Sequence, residues 1–242
     1  MSELLEAAPA VVLAVYAHPD DPEVSCGGSL ARWASTGSEV HVVVATSGDK
    51  GSADPATVPA ELAAQRAEEV REAAQVLGLA GVHLLGHPDG ELDATTDLRR
   101  TIVGLVRRHR PETVVCPDPT ATFFGDAYVN HVDHRAIGWA TLDAAAPAAG
   151  SPHYFPDEGP AHQVTRLLLS GTLEPDIWVD VSASVEAKVA ALFCHRSQLA
   201  ADADEWLPDF VHQRTREEGR KAGVAHAEGF RRLVLRREPV SD

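Results

Sequence analysis

Two groups of residues in this 242-residue sequence have the types and spacing for proton-transfer and metal chemistry. The first is His18-Pro19-Asp20-Asp21-Pro22-Glu23, one imidazole and three carboxylates in a single short stretch. The second is His131-x-Asp133-His134, far along the chain. His18 and Asp21 stand i, i+3 on a turn, which can aim both side chains at one centre and offer it nitrogen and oxygen donors, a set that suits a divalent ion. A third ligand would have to come from a different strand end, and the second group is the obvious supplier. Two histidines and one carboxylate leave positions open for water, the arrangement of a catalytic zinc and not of a closed structural one. On spacing alone, each of these residues also has a plain structural role open to it. The first group could be an acidic, Pro-broken surface loop, and the histidines, of which there are twelve, could cap helices or sit in polar cores.

The elements that would position these groups are legible around them. Val11 to His18 begins as a continuous apolar run that stops at the acidic turn, as a buried parallel strand does. Cys26-Gly27-Gly28-Ser29 then opens a helix to about Gly37, its glycines allowing close backbone approach. A second strand, Glu39–Ala45, ends in the polar, Gly-rich loop Thr46–Gly51. The spacing predicts a helix over Pro59–Leu77 with Gly78 as its C-cap, a strand over Val82–Leu85, a helix from Thr95 or Thr96 to His109, and a strand over Thr113–Cys116. Phe123 to Val129 reads as irregular, and His131 to Ala140 as the start of another helix. Pro147 to Gly159 reads as a surface loop. Two strands follow at 166–170 and 177–181, then helices at 186–192 and about 208–221, and a short final strand from Phe230 to Leu235. Strand and helix alternate four times, which argues for an α/β fold: a Rossmann-like, open, mostly parallel sheet with helices on both faces. No repeat or long linker divides the chain, so residues 1–242 read as one domain. Ligand sites in such sheets lie outside the carboxyl ends of the strands, where both chemical groups fall.

Composition narrows the classes. A formal net charge of −15 argues against nucleic acid or an anionic membrane as partner. Cys26, Cys116 and Cys194 are an odd, scattered set that fits a reducing cytoplasm. The acidic start, Met1 to Glu6, lacks the basic n-region of a signal peptide, and no apolar run is long enough to span a bilayer. The expectation is a soluble, cytoplasmic protein. The absence of GxGxxG weakens a dinucleotide fingerprint.

Taken together, the motifs resemble a known family. Ala17-His18-Pro19-Asp20-Asp21-x-Glu23 with Gly27-Gly28 is similar to the AHPDD(x)E…GG signature of the LmbE/PIG-L-like N-deacetylases. His131-x-Asp133-His134 resembles their HPDH motif. Thr46-x-Gly48-x-x-Gly51, Arg66-x-x-Glu69 through Gly78, Gly86 to Gly90, and Lys188 to Gln198 resemble further family segments in the same order. The resemblance implies that His18, Asp21 and His134 bind Zn2+ or another divalent ion such as Fe2+. It also implies that Asp20 is the general base on the metal-activated water, that His131 is the general acid, and that Asp133 holds the His131 imidazole. Arg66 and Asp89 would be substrate contacts. Two departures stand out. Val132 replaces the proline of HPDH, and Pro22 displaces Glu23 by one place, so Glu23 carries no catalytic role and fits a helix N-terminal charge or support behind the ligands. His195 could face the site or pack beneath it, and Cys26 reads as a small buried hydrophobe.

The expected function is a metal-dependent hydrolase removing an N-acetyl group from an amino sugar or sugar conjugate, a small-molecule partner. The alternatives are a non-catalytic Rossmann-like nucleotide- or sugar-binding module and a metal-bearing scaffold. The latter would need ligands but neither an acid nor a base.

Overall fold

The computed structural model describes residues 3–235. Met1 and Ser2, at the head of the acidic start, and residues 236–242 lie outside the described residues. The strands are β1 (Glu3–Leu4), β2 (Val11–Tyr16), β3 (Glu39–Thr46), β4 (Gly81–His87), β5 (Thr113–Pro117), β6 (Phe123–Phe124), β7 (Tyr128–Val129), β8 (Arg166–Ser170), β9 (Ile177–Asp180) and β10 (Ala227–Val234). The helices are α1 (Asp21–Ser35), α2 (Pro59–Leu77), α3 (Thr96–His109), α4 (Val132–Asp143), α5 (Val185–Leu192) and α6 (Ala203–Ala222).

Eight strands form one sheet in the order β1-β9-β10-β8-β5-β2-β3-β4, with β8 through β4 all parallel. β10 runs antiparallel to both neighbours, β8 and β9, so the sheet is mixed at one side. The side chains of β2 show how the sequence divides the core. Leu13 and Val15, with Ala17 just beyond the strand, pack in the layer under α3 and α4, while Val12, Ala14 and Tyr16 face α1, α2 and α5. A strand alternates faces at every residue, so a strand buried on both sides must be apolar throughout. Chain order reverses at β2, where β3 and β4 lie on one side and β5 and β8 on the other. That reversal is the crevice in which open α/β sheets place ligands.

Helix limits follow local chemistry closely. Pro59 stands in the first turn of α2 and Gly78 caps its end at φ 71°. Thr95 caps α3 by accepting from the Leu98 N–H at 3.2 Å. Four expectations need correction. α1 begins at Asp21, not at Cys26; Pro22 lies in its first turn, and the backbone breaks from helical dihedrals at Cys26 (φ −148°, ψ 23°). The stretch from Phe123 to Val129 forms the β6–β7 hairpin. The segment 147–159 is not simply a surface loop. Ala148 and Ala149 are buried, and the buried Arg107 guanidinium donates to carbonyls at 148, 149, 151, 154, 155 and 159. α6 starts at Ala203 and carries Pro208 inside its first turns.

Gly27 and Gly28 are explained by crowding. A Cβ on Gly28 would stand 2.9 Å from the Val181 Cβ, and one on Gly27 3.3 Å from the Lys188 Cγ. Behind them is a buried ion pair. Glu228 on β10 accepts from Lys188 Nζ at 2.6 Å, from Gly28 N–H at 3.1 Å, and from Ser29 N–H at 2.7 Å. Cys26 is fully buried with its Sγ 3.1 Å from the Tyr16 hydroxyl, and burial pushes its thiol pKa up. Among the described residues no helix is long and apolar enough to cross a membrane.

Candidate active site

The turn after β2 is held in an unusual backbone. Asp20 sits at φ 91°, a region L residues avoid and one that costs of order 1–3 kcal/mol. Two interactions hold it there. The Asp21 carboxylate accepts from the His18 backbone N–H at 2.7 Å. The Arg66 guanidinium, reaching in from α2, donates to Pro19 O at 2.8 Å and Gly48 O at 3.0 Å and lies 3.5 Å from the Asp20 carboxylate.

The two sequence groups meet across β2 and β5. His18 Nδ1 is 3.2 Å from His134 Nε2, and Asp21 lies 3.3 Å from the first nitrogen and 3.1 Å from the second. The outer nitrogens are engaged. His134 Nδ1 is 3.0 Å from the Asn130 carbonyl oxygen, and His18 Nε2 is 3.1 Å from both Asp89 and Asp133. Those oxygens only accept, so in the neutral rings the outer nitrogens carry the protons and both inner nitrogens carry lone pairs. Two lone pairs facing each other at hydrogen-bond distance, with a carboxylate on their flank, need a cation or proton between them. The donor set therefore fits a divalent ion, and His18, Asp21 and His134 each offer an atom within 4.8 Å of the others.

Burial and the hydrogen bonds of the cluster also shift its proton affinities. Burial opposes protonation of His18, but its hydrogen bonds to Asp21 and Asp89 raise its pKa to about 10. Burial likewise opposes ionisation of Asp21, yet hydrogen bonds from His134 and His18 hold its carboxyl well below the usual carboxylate range. Asp20 goes the other way. Burial, then the Asp21 charge, raises it to about 7 despite Arg66. His131 is lowered by burial and by the charge of His18.

Each expected site residue has a definite place. Asp133 is fully buried and accepts from the backbone N–H of Gly90 at 2.7 Å and Leu92 at 3.1 Å. It stands 3.9 Å from His131 Nδ1, which instead accepts from the Asp133 backbone N–H at 3.2 Å as the N-cap of α4. The expected hold on the His131 imidazole is thus weaker than the contact with His18. His131 is half-buried at the rim, its ring edge-on to His18 at 4.6 Å between centroids. Arg66 is 3% exposed and faces the turn and its loops. Asp89 reaches His18 directly. Glu23 is buried behind the turn, 3.2 Å from His195 Nε2, so His195 packs beneath the site.

Beside His134 and Asp21 opens a cleft of about 370 Å³. Its walls include Phe124 and Tyr128 of the β6–β7 hairpin, Asn130, Asp118 and Arg214. Sequence reasoning missed Asn130 and the hairpin. Asn130 immediately precedes His131, so its adjacency to the motif was the available signal; nothing in the hairpin's sequence marks a wall.

The chain is similar to known proteins along most of its length. The family described as PIG-L, GlcNAc-PI de-N-acetylase, matches residues 13–145, which hold both chemical groups. The chain is 31% identical over 224 residues to diacetylchitobiose deacetylase from Thermococcus kodakarensis, covering 91% of this chain and 82% of that protein. It is 31% identical over 245 residues to the 1D-myo-inositol 2-acetamido-2-deoxy-alpha-D-glucopyranoside deacetylase of Rhodococcus jostii, covering 78% of this chain and 81% of that one. The structure of N,N'-diacetylchitobiose deacetylase from Pyrococcus horikoshii superposes with a TM-score of 0.84 at 30% identity, covering 93% of this chain and 84% of that one. The chain belongs to the PIG-L, GlcNAc-PI de-N-acetylase family and is an N-deacetylase.

Proposed function

We propose that this chain, acting as one domain, hydrolyses the acetamide of an N-acetylglucosamine-type sugar joined to a second polar ring, with His18, Asp21 and His134 holding a zinc-type divalent ion. The observation that carries the metal assignment is the pair of inner imidazole nitrogens 3.2 Å apart, with Asp21 beside both. The substrate class is supported by the acetylated sugars in the names of the Thermococcus and Rhodococcus relatives. A bound divalent ion would supply Lewis acidity to the acetyl carbonyl and a more acidic water.

The remaining chemistry falls to the chain. Asp20 borders the ion's ligands without being one, and takes the proton from the attacking water. The C–O bond forms first as water adds to the acetyl carbon, and the C–N bond then breaks as the carbonyl re-forms, giving acetate and a free amine. An amide nitrogen leaves poorly as an anion, so His131, half-buried at the rim, protonates it. Asp133 and Asp89 orient His18 through its outer nitrogen. Arg66 is a positioning residue that keeps Asp20 in its strained conformation. The aromatic pair Phe124 and Tyr128, with ring centroids 5.9 Å apart, forms an apolar wall for a sugar face.

Mass spectrometry of a panel of N-acetyl sugars incubated with zinc-loaded protein tests this. Acetate release from an N-acetylglucosaminyl disaccharide or glycoside is expected. No release from any acetamido sugar, together with nucleotide binding by protein that retains no metal, would overturn it in favour of a binding module.

A further inference from the structure

A second histidine cluster lies at the opposite end of the strands. His41, near the start of β3, His83, near the start of β4, and His109, the last residue of α3, each offer a ring nitrogen within 4.8 Å of the others. His41 pairs across the sheet with Gly81, and His83 with Val43, which puts both imidazoles on the face covered by α3. The rings are inclined to one another by 38° to 56° and are not stacked flat, with centroids 3.9 to 5.9 Å apart.

Each ring carries a buried nitrogen with no hydrogen-bond partner: His41 Nδ1, His83 Nε2 and His109 Nε2. Three such orphans in one place are unusual, because buried polar atoms are nearly always satisfied. His41 explains its own orphan. Its Nε2 donates to the Glu39 carboxylate at 2.8 Å, so Nδ1 is left as a lone pair. His41 is 7% exposed, and a Cβ on Gly81 would stand 2.7 Å from that Nδ1. The missing side chain at position 81 therefore leaves room beside the lone pair.

We infer that His41, His83 and His109 form a second cation site, for a late first-row divalent ion of zinc type, that ties the edge strand β4 and the end of α3 to β3. Imidazole is a preferred donor for such ions. The Glu39–His41 pair has the carboxylate–histidine form that orients metal-binding rings. His109 closes a helix whose C-terminal carbonyl end favours positive charge. Arg108 acts against a cation by its charge near His83 and His109, and Glu39 acts for it. Burial and the neighbouring charges depress the His83 and His109 pKa values, that of His109 to about 4, which keeps these rings neutral and able to ligate. A tetrahedral ion with nitrogens at about 2.0–2.1 Å needs them roughly 3.4 Å apart, so the rings must close on it by up to about 1.5 Å. Of the three histidines, His83 borders an open cleft that Leu85, Gly104 and Arg108 also line.

The site is independent of the proposed catalytic one, and metal stoichiometry separates the two. Tag-free full-length chain, stripped with chelator, is reloaded with Zn2+ or Co2+, passed over a desalting column and assayed by elemental analysis and visible absorption. Two ions per chain are expected in the wild type. His83→Gln and His109→Gln should each retain one ion, lose one component of the Co2+ spectrum and keep deacetylase turnover. His18→Ala should also retain one ion, and Zn2+ should still raise its melting temperature, by roughly 5–10 °C if the ion is at 100-fold its Kd. Glu39→Gln should weaken the second ion about 10–100-fold without unfolding the chain. The inference fails if His109→Gln, folded by circular dichroism, binds as many ions as the wild type, or if His18→Ala binds none. One ion in the wild type that His109→Gln loses and His18→Ala keeps would uphold this site and reject the catalytic metal assignment.

Discussion

Asp133 Oδ2 stands 3.1 Å from His18 Nε2 and 3.9 Å from His131 Nδ1. The buried carboxylate, fixed by the Gly90 and Leu92 amides, is thus tied to a proposed metal ligand more closely than to the proposed acid. Asp133→Asn should lower metal affinity about 10–100-fold and turnover with it. His131→Ala should lower turnover while leaving metal affinity unchanged. Metal titration of the two variants against a competing chelator decides between them; equal metal affinities would mean that Asp133 acts through His131.

A second division runs between Asp20 and its neighbours. Asp20→Asn should keep the ion and lose about 10²–10⁴-fold in kcat, the usual contribution of a positioned general base. His18→Ala and Asp21→Ala should lose both the ion and turnover. Elemental analysis beside steady-state kinetics reads both effects, and wild-type turnover in Asp20→Asn would remove the base assignment.

The β6–β7 hairpin predicts a different kinetic signature. Tyr128 is half exposed on the cleft wall, so Tyr128→Ala should remove uniform sugar binding worth about 1 kcal/mol. KM should rise roughly fivefold with kcat preserved. A fall in kcat at unchanged KM would place the hairpin in the chemistry instead.

Stability should depend strongly on a pair remote from the reaction. Lys188 and Glu228 are each 5% exposed and 2.6 Å apart, and Glu228 also accepts from Gly28 and Ser29. Removing one partner leaves a buried charge uncompensated, so Glu228→Ala or Lys188→Met should each cost about 3–5 kcal/mol in urea unfolding. The double variant should cost less than their sum by about 0.5–3 kcal/mol. Strict additivity would show that the two do not interact.

Much of this protein is legible in its sequence. Periodicity identified the parallel strands, because a strand covered on both faces must be apolar at every position. Gly78 and Thr95 marked helix limits through local sterics and capping that act within one turn. The two chemical motifs announced themselves by residue type, since few other arrangements put so many imidazoles and carboxylates at strand ends. The helix α1 was misplaced because its start depends on a left-handed Asp20, a conformation imposed by Arg66 from α2 and invisible in the local sequence. Glu228 escapes sequence reading for a related reason: it acts on Lys188, Gly28 and Ser29, which are set against it by packing and not by spacing along the chain. Asn130 lies four residues before His134, close enough to be a partner, but its residue type alone does not mark it as one. The histidine trio is the extreme case. His41, His83 and His109 carry no motif and stand on three separate elements; adjacent strand register and the packing of α3 bring them together. The sequence by itself determined the layers, the strand-end location of the chemistry and the donor types. Only the tertiary structure decided which donors face one another, because side-chain partners more than a hundred residues apart are chosen by the order and register of the sheet.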